Sequence, residues 1–204
     1  DLVRRTLSLV QGHPKLIELA DAQSADPASL EKYLASALGA WSEEKNHLDR
    51  FFLEGESALT AEEFLAVLSR WTQEVSRSLP PASRTLFQFL CVLEDADRLD
   101  WVVKQVWPQL WTALSLDVDS PALEQALSPV KSAGLLELQS LGEQVRYSIN
   151  PGVAQAGLED TDEKFRTAVN SEMANFWMAV FNVAGSSGTE EMGQLVIMAG
   201  MRAP

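Results

Sequence analysis

Apolar residues recur every three or four positions through most of this sequence, with turn-forming residues between the runs, and that pattern predicts a mainly helical chain. The first block, Leu2 to about Ala40, reads as three short helices. Gly12-His13-Pro14 separates the first two, and Ser24-Ala25-Asp26-Pro27 separates the next. Pro14 and Pro27 suit first helical turns, where a missing N–H costs nothing. Leu16, Leu19 and Ala20 fall on one face, as do Leu30, Tyr33, Leu34, Ala37 and Leu38. A longer helix starts at Thr60, which can form a capping box with Glu63, and its apolar face is Phe64, Leu65, Leu68, Trp71, Val75 and Leu79. Pro80-Pro81 stops it, since two prolines remove donors and push the preceding residue out of the helical region.

Beyond that stop the pattern gives a helix around Ala82–Leu93, another over Arg98–Trp111, and a third from Ser120-Pro121 to about Ala133, ended by Gly134 and kinked or split by Pro129. Leu135–Gln139 and Val145–Ile149 then form two β-compatible runs around a turn at Ser140-Leu141-Gly142-Glu143. Three helices followed by a hairpin is the order of a winged helix. An acidic stretch, Glu159-Asp160-Thr161-Asp162-Glu163, precedes a long helix carrying Phe165, Val169, Met173, Phe176, Trp177, Val180 and Phe181. Ala184-Gly185-Ser186-Ser187-Gly188 is expected to turn the chain. A second helix from Thr189, with Met192, Leu195, Val196 and Ala199, would return against the first. The expected organisation is three units, 1–80, 81–158 and 159–204, able to move at borders near residues 80 and 160.

Charge narrows the partners. With 16 basic and 29 acidic residues the net charge is -13, a field that repels phosphate backbones and anionic lipid. No nucleic-acid and no membrane partner is expected. No apolar run reaches the roughly 18 residues of a membrane span and no leader pattern opens the chain, so the expected compartment is cytoplasmic. Cys91, the one cysteine, lies in the apolar string Leu86–Leu93 and is expected to pack as a small hydrophobe. The start at Asp1 without Met and the end directly after an amphipathic stretch read as a fragment of a longer chain.

Catalytic constellations do not emerge. No Gly-x-x-x-x-Gly-Lys-Ser/Thr loop and no Gly-x-Gly-x-x-Gly fingerprint occur. His13 and His47 are the only histidines and have no Cys/His cluster around them, so no metal site is expected. Glu94-Asp95-Ala96-Asp97 with Asp100 lacks the central Gly and distal Glu of a calcium loop and reads as a solvated turn capping the next helix. Glu43-Glu44-Lys45 reads as solvated surface. The six tryptophans, 41, 71, 101, 107, 111 and 177, mostly fall at helical spacing beside aliphatics and read as core or interface. Trp107 and Trp111 share one helical face.

Leu9-Val10-Gln11-Gly12-His13-Pro14-Lys15-Leu16 resembles the Gly-x-Pro motif in the helical lid of NB-ARC and related STAND signalling ATPases, bacterial members included. Tyr147-Ser148-Ile149-Asn150-Pro151-Gly152-Val153 resembles the segment where that family places its Met-His-Asp or Met-His-Pro motif, with Asn150 at the histidine position. Asn150 can donate a hydrogen bond to a phosphate oxygen but cannot carry an imidazolium charge. The resemblance spans the whole chain. It implies a helical lid over 1–80, a winged-helix domain over 81–158 and the start of TPR-like helical repeats over 159–204. Gly12, His13, Pro14 and Asn150 become the candidate nucleotide-facing residues. ATP or ADP would bind the full-length parent, and this stretch would couple nucleotide state to opening and homo-oligomerisation without catalysis of its own. The implied partners are the chain's own upstream nucleotide-binding domain, its downstream repeats and a protein trigger, in a setting such as bacterial defence.

Two rival readings stand beside this one. A helical interaction scaffold without nucleotide coupling needs only the helices and their apolar faces. A winged-helix DNA-binding regulator needs basic and amide side chains on the helix Ser120 to Gly134. That helix offers Lys131 and Gln125 against Glu124, and the wing adds only Arg146.

Overall fold

The computed structural model describes residues 2–38, 60–114 and 119–187. Trp41, His47, Glu43-Glu44-Lys45, Gly188 and the expected helix from Thr189 lie outside the described residues. What is described is mainly helical with one small antiparallel hairpin.

The first three helices, α1 (Leu2–Val10), α2 (Pro14–Gln23) and α3 (Pro27–Leu38), follow the turn signals closely. The capping box at the start of α4 (Ala61–Ser78) is present: the Thr60 hydroxyl accepts from the Glu63 N–H at 3.2 Å, and Thr60 N–H donates to Glu63 Oε2 at 2.8 Å. Leu79 and Pro80 alone separate α4 from α5 (Pro81–Val92). The buried face of α4 is Val67, Leu68, Trp71, Thr72, Val75 and Ser76, rotated slightly from the expected stripe, so that Leu65 is exposed.

After a short 3-10 turn at Asp95–Asp97 come α6 (Asp100–Ala113) and α7 (Leu123–Ser132). Pro129 does not split α7, which runs unbroken through it. Near a helix end a proline removes one ladder bond, and here the closing bonds form anyway. Gly134 N–H donates to the Lys131 carbonyl at 2.9 Å and Leu135 N–H to that of Val130 at 3.3 Å, with Gly134 at φ +71. Those two bonds are a Schellman cap. The hairpin β1 (Glu137–Leu141) and β2 (Gln144–Ser148) pairs Glu137 with Ser148 through Leu141 with Gln144, leaving a two-residue turn led by Gly142 at φ +64. Leu99 bridges Arg146, and Tyr147 N–H donates to the Arg98 carbonyl at 2.8 Å, so a third short segment before α6 docks on the hairpin.

Two elements differ from the sequence expectation. Asn150-Pro151-Gly152, for which the apolar pattern gives no helix, opens α8 (Pro151–Glu159), a short helix with two glycines that propensity disfavours. Packing supplies what propensity withholds: a Cβ on Gly157 would overlap Cys91 Sγ, so the bare backbone seats directly on α5. In the second correction, Ala184-Gly185-Ser186-Ser187 is no turn, because α9 (Glu163–Ser187) continues through it. Ala184 is buried, which holds this end helical against its composition.

The packing is continuous. α4 lies on both α3 and α8, α5 lies on α7 and α8, and α9 lies along α6. One hydrophobic cluster runs from Leu9 through Trp71, Phe87 and Trp107 to Trp177.

Candidate functional site

The α1–α2 junction owes its shape to backbone geometry. His13 N–H donates to the Val10 carbonyl at 2.7 Å across Gln11 at φ +40 and Gly12 at φ +78. Both central residues at positive φ is the type I′ pattern. Glycine adopts it freely, whereas Gln11 is held in a region that non-glycine residues visit at a cost of roughly 1–2 kcal/mol. Burial and a 3.0 Å bond from its Nε2 to the Ser8 carbonyl fix Gln11 there. Pro14 then opens α2 at N1. His13, the residue before α2, makes no side-chain cap; its ring stacks on Phe64 of α4, centroids 4.3 Å apart at 21°.

Asn150 occupies the N-cap of α8, with its Oδ1 accepting from Gly152 N–H at 3.0 Å. That leaves its amide nitrogen as a donor. Gly152 lies against α4: a Cβ there would come 2.6 Å from Leu68 Cδ2 and 3.6 Å from Leu65 Cδ2. Gly12, His13 and Pro14 are contiguous and Asn150 is remote from them in sequence, yet His13 and the Asn150-capped turn both meet the opening turns of α4, His13 at Phe64 and Gly152 at Leu65 and Leu68.

Several residues that organise this region carry no sequence signal. Lys15, almost fully buried, donates to the Gly134 carbonyl at 2.9 Å and pairs with Glu18 at 2.8 Å, so α2 is tied to the end of α7. Gln23 reinforces the tie by donating to the Ala133 carbonyl at 3.3 Å. Arg98 is buried, with Nε donating to the Leu90 carbonyl at 2.8 Å and a terminal nitrogen to that of Leu93 at 2.9 Å; these close the end of α5. Desolvation lowers its pKa, with Asp95 opposing. Asp95 also receives Arg146 at 3.0 Å, and Arg146 reaches Gln139 at 2.9 Å. The wing arginine is therefore engaged within the hairpin. Asp100 accepts from Tyr147 Oη at 2.6 Å and from Lys104 at 2.7 Å, and the acidic turn is used in structural pairs. Among the described residues no three His, Cys, Asp or Glu side chains gather as a metal would require, and no helix is long and apolar enough to cross a membrane.

Cys91 is buried with its thiol pKa pushed up by desolvation, consistent with its expected packing role. Trp71, Trp107 and Trp177 are buried, Trp101 and Trp111 pack partly against the core, and Trp107 stands 5.3 Å from Trp111. Two apolar grooves open on the surface. One, of about 440 Å³, is lined by Val3, Leu7, Gly12 and Ile17 among others from α1 to α3. The other, of about 650 Å³, runs between α6 and α9. Compared with protein-family models, curated proteins and solved structures, the chain matches none.

Proposed function

We propose that this chain is a non-catalytic regulatory part of a STAND-type signalling ATPase, coupling the nucleotide state of an upstream domain to opening and self-assembly. The observation that carries the reading is that His13 of the Gly12-His13-Pro14 junction and the Asn150-capped turn both meet the opening turns of α4. A donor at Asn150 and a strained, pre-shaped junction at Gln11-Gly12 suit contact with a nucleotide held by another domain. Gly12, His13, Pro14 and Asn150 are the residues assigned to it.

The reading requires a phosphate-binding loop and an acidic metal-binding strand encoded upstream of Asp1. The chain alone should bind ADP no tighter than micromolar, since it carries no phosphate cradle. In the longer protein, Asn150→Asp keeps the N-cap, because Asp caps as well as Asn, but sets a negative charge toward phosphate. ADP affinity should fall at least tenfold with Tm unchanged. Submicromolar ADP binding by the isolated chain, or an upstream region without the loop, removes the reading.

A second reading is a helical protein-interaction scaffold without nucleotide coupling. The exposed Val3, Leu7 and Ile17 around the α1–α3 groove favour it. An Asn150→Asp variant indistinguishable from wild type in the ADP assay would leave that scaffold as the function.

A further inference from the structure

The hairpin has one closed edge and one open one. On the β2 side Leu99 bridges Arg146 and Tyr147 N–H donates to the Arg98 carbonyl at 2.8 Å, so that edge is taken. Tyr147 pairs with Leu138, and in an antiparallel ladder the two members of a pair either bond to each other or both bond outward. Leu138, and Ser140 two positions on, therefore turn their N–H and C=O groups to the far edge of β1. Among the described residues those groups meet no partner.

Nothing blunts this edge. Exposed edge strands are ordinarily protected by lysine, proline or a bulge. β1 reads Glu137-Leu138-Gln139-Ser140-Leu141, pairs with β2 without a bulge, and leaves Leu138 and Leu141 44% and 45% exposed. We propose that a second copy of this chain pairs antiparallel with β1, edge to edge, joining the two hairpins into one four-stranded sheet. The inference stands apart from the nucleotide reading, since it concerns this chain alone.

The strand is its own complement. Antiparallel pairing about Gln139 sets Leu138 opposite Ser140 of the second copy and Ser140 opposite its Leu138, so every outward N–H of both strands finds a carbonyl. Charge favours the same register. Glu137, the one charged residue of β1, falls opposite Leu141 of the second copy and not opposite the second Glu137. A cationic peptide strand is the other occupant that a chain of charge -13 would attract, and salt would weaken its binding. Two copies repel at long range, so salt should strengthen their pairing instead.

Sedimentation velocity on the 204-residue chain, across concentration and salt, tests this. A seam of five residues a side is small, so the expected result is a reversible monomer–dimer equilibrium, several-fold tighter at about 0.5 M salt than at about 0.05 M. Ser140→Pro removes an N–H that points away from β2, so the hairpin keeps its own ladder while the dimer should weaken about tenfold or more. Leu138→Lys, at an exposed position, should do the same and keeps the test open should the proline disturb the hairpin. Leu141→Lys, facing Glu137 of the second copy, should tighten the dimer at low salt, and Leu141→Glu should loosen it. A chain that stays monomeric at about 1 mM overturns the proposal. A dimer indifferent to both Ser140→Pro and Leu138→Lys, or one that responds alike to the two Leu141 variants, overturns it too.

Discussion

Single side chains set the electrostatic character of the hairpin. Tyr147 is buried, and its hydroxyl donates to Asp100 Oδ1 at 2.6 Å. Desolvation raises its pKa first, and the bond to Asp100 and that carboxylate's charge raise it further. A phenol whose folded pKa lies above its unfolded value stabilises the fold fully below the unfolded value, about 10, and loses that contribution as pH climbs beyond it. Tyr147→Phe should therefore cost about 1–2 kcal/mol at pH 7, since a bond to a charged acceptor is lost. Above pH ~10 the gap between the two proteins should narrow, because only the wild type carries the titrating phenol. Urea melts at pH 7 and pH 10.5 measure both; a gap that widens with pH would refute the assignment.

Glycines at element ends show how local geometry and packing separate. Gly142 and Gly134 both sit at positive φ, +64 and +71, but a Cβ on Gly142 meets nothing within 4 Å, while one on Gly134 comes 3.1 Å from the Ala22 Cβ. Gly142→Ala should cost roughly 1 kcal/mol of backbone strain alone. Gly134→Ala should cost roughly 2–3 kcal/mol, since a Cβ on each side has no rotamer by which to give way. Equal losses in chemical denaturation would mean α2 does not press on the Schellman cap. These elements also show what the sequence discloses. The α1–α3 breaks, the Thr60–Glu63 box, the Gly134 stop and the hairpin were legible because each rests on residues adjacent in the chain. By contrast α8 and the last turn of α9 are helical through Cys91–Gly157 contact and burial of Ala184, partners distant in sequence. The candidate site divides the same way. Gly12-His13-Pro14 announces a junction, but the stack on Phe64, the Lys15 and Gln23 ties to α7 and the Arg98 closure of α5 arise only in three dimensions.

Across the whole molecule, the Pro80-Pro81 stop is a helix junction within one core. Trp71 on α4 and Phe87 on α5 belong to the same buried cluster as Leu9 and Trp177. α4 lies on α3 to one side and on α8 to the other, so neither block can leave without exposing α4. The acidic stretch after α8 is fastened too: Asp160 pairs with Arg84 at 2.9 Å, and Gln88 donates to its carbonyl at 3.0 Å. Opening a seam of this kind would expose several core side chains, each worth about 1.5–3 kcal/mol when fully buried. That sum rivals the roughly 5–15 kcal/mol by which whole domains are stable, so the seam should not open below the global transition. Secondary structure followed at 222 nm and the fluorescence of the tryptophans, which among the described residues are Trp71 before position 80 and Trp101, Trp107, Trp111 and Trp177 after it, should give coincident urea transitions. Two separated transitions would instead assign the residues before and after position 80 to units that unfold apart, and any switching between them would then proceed by parting α4 from α8.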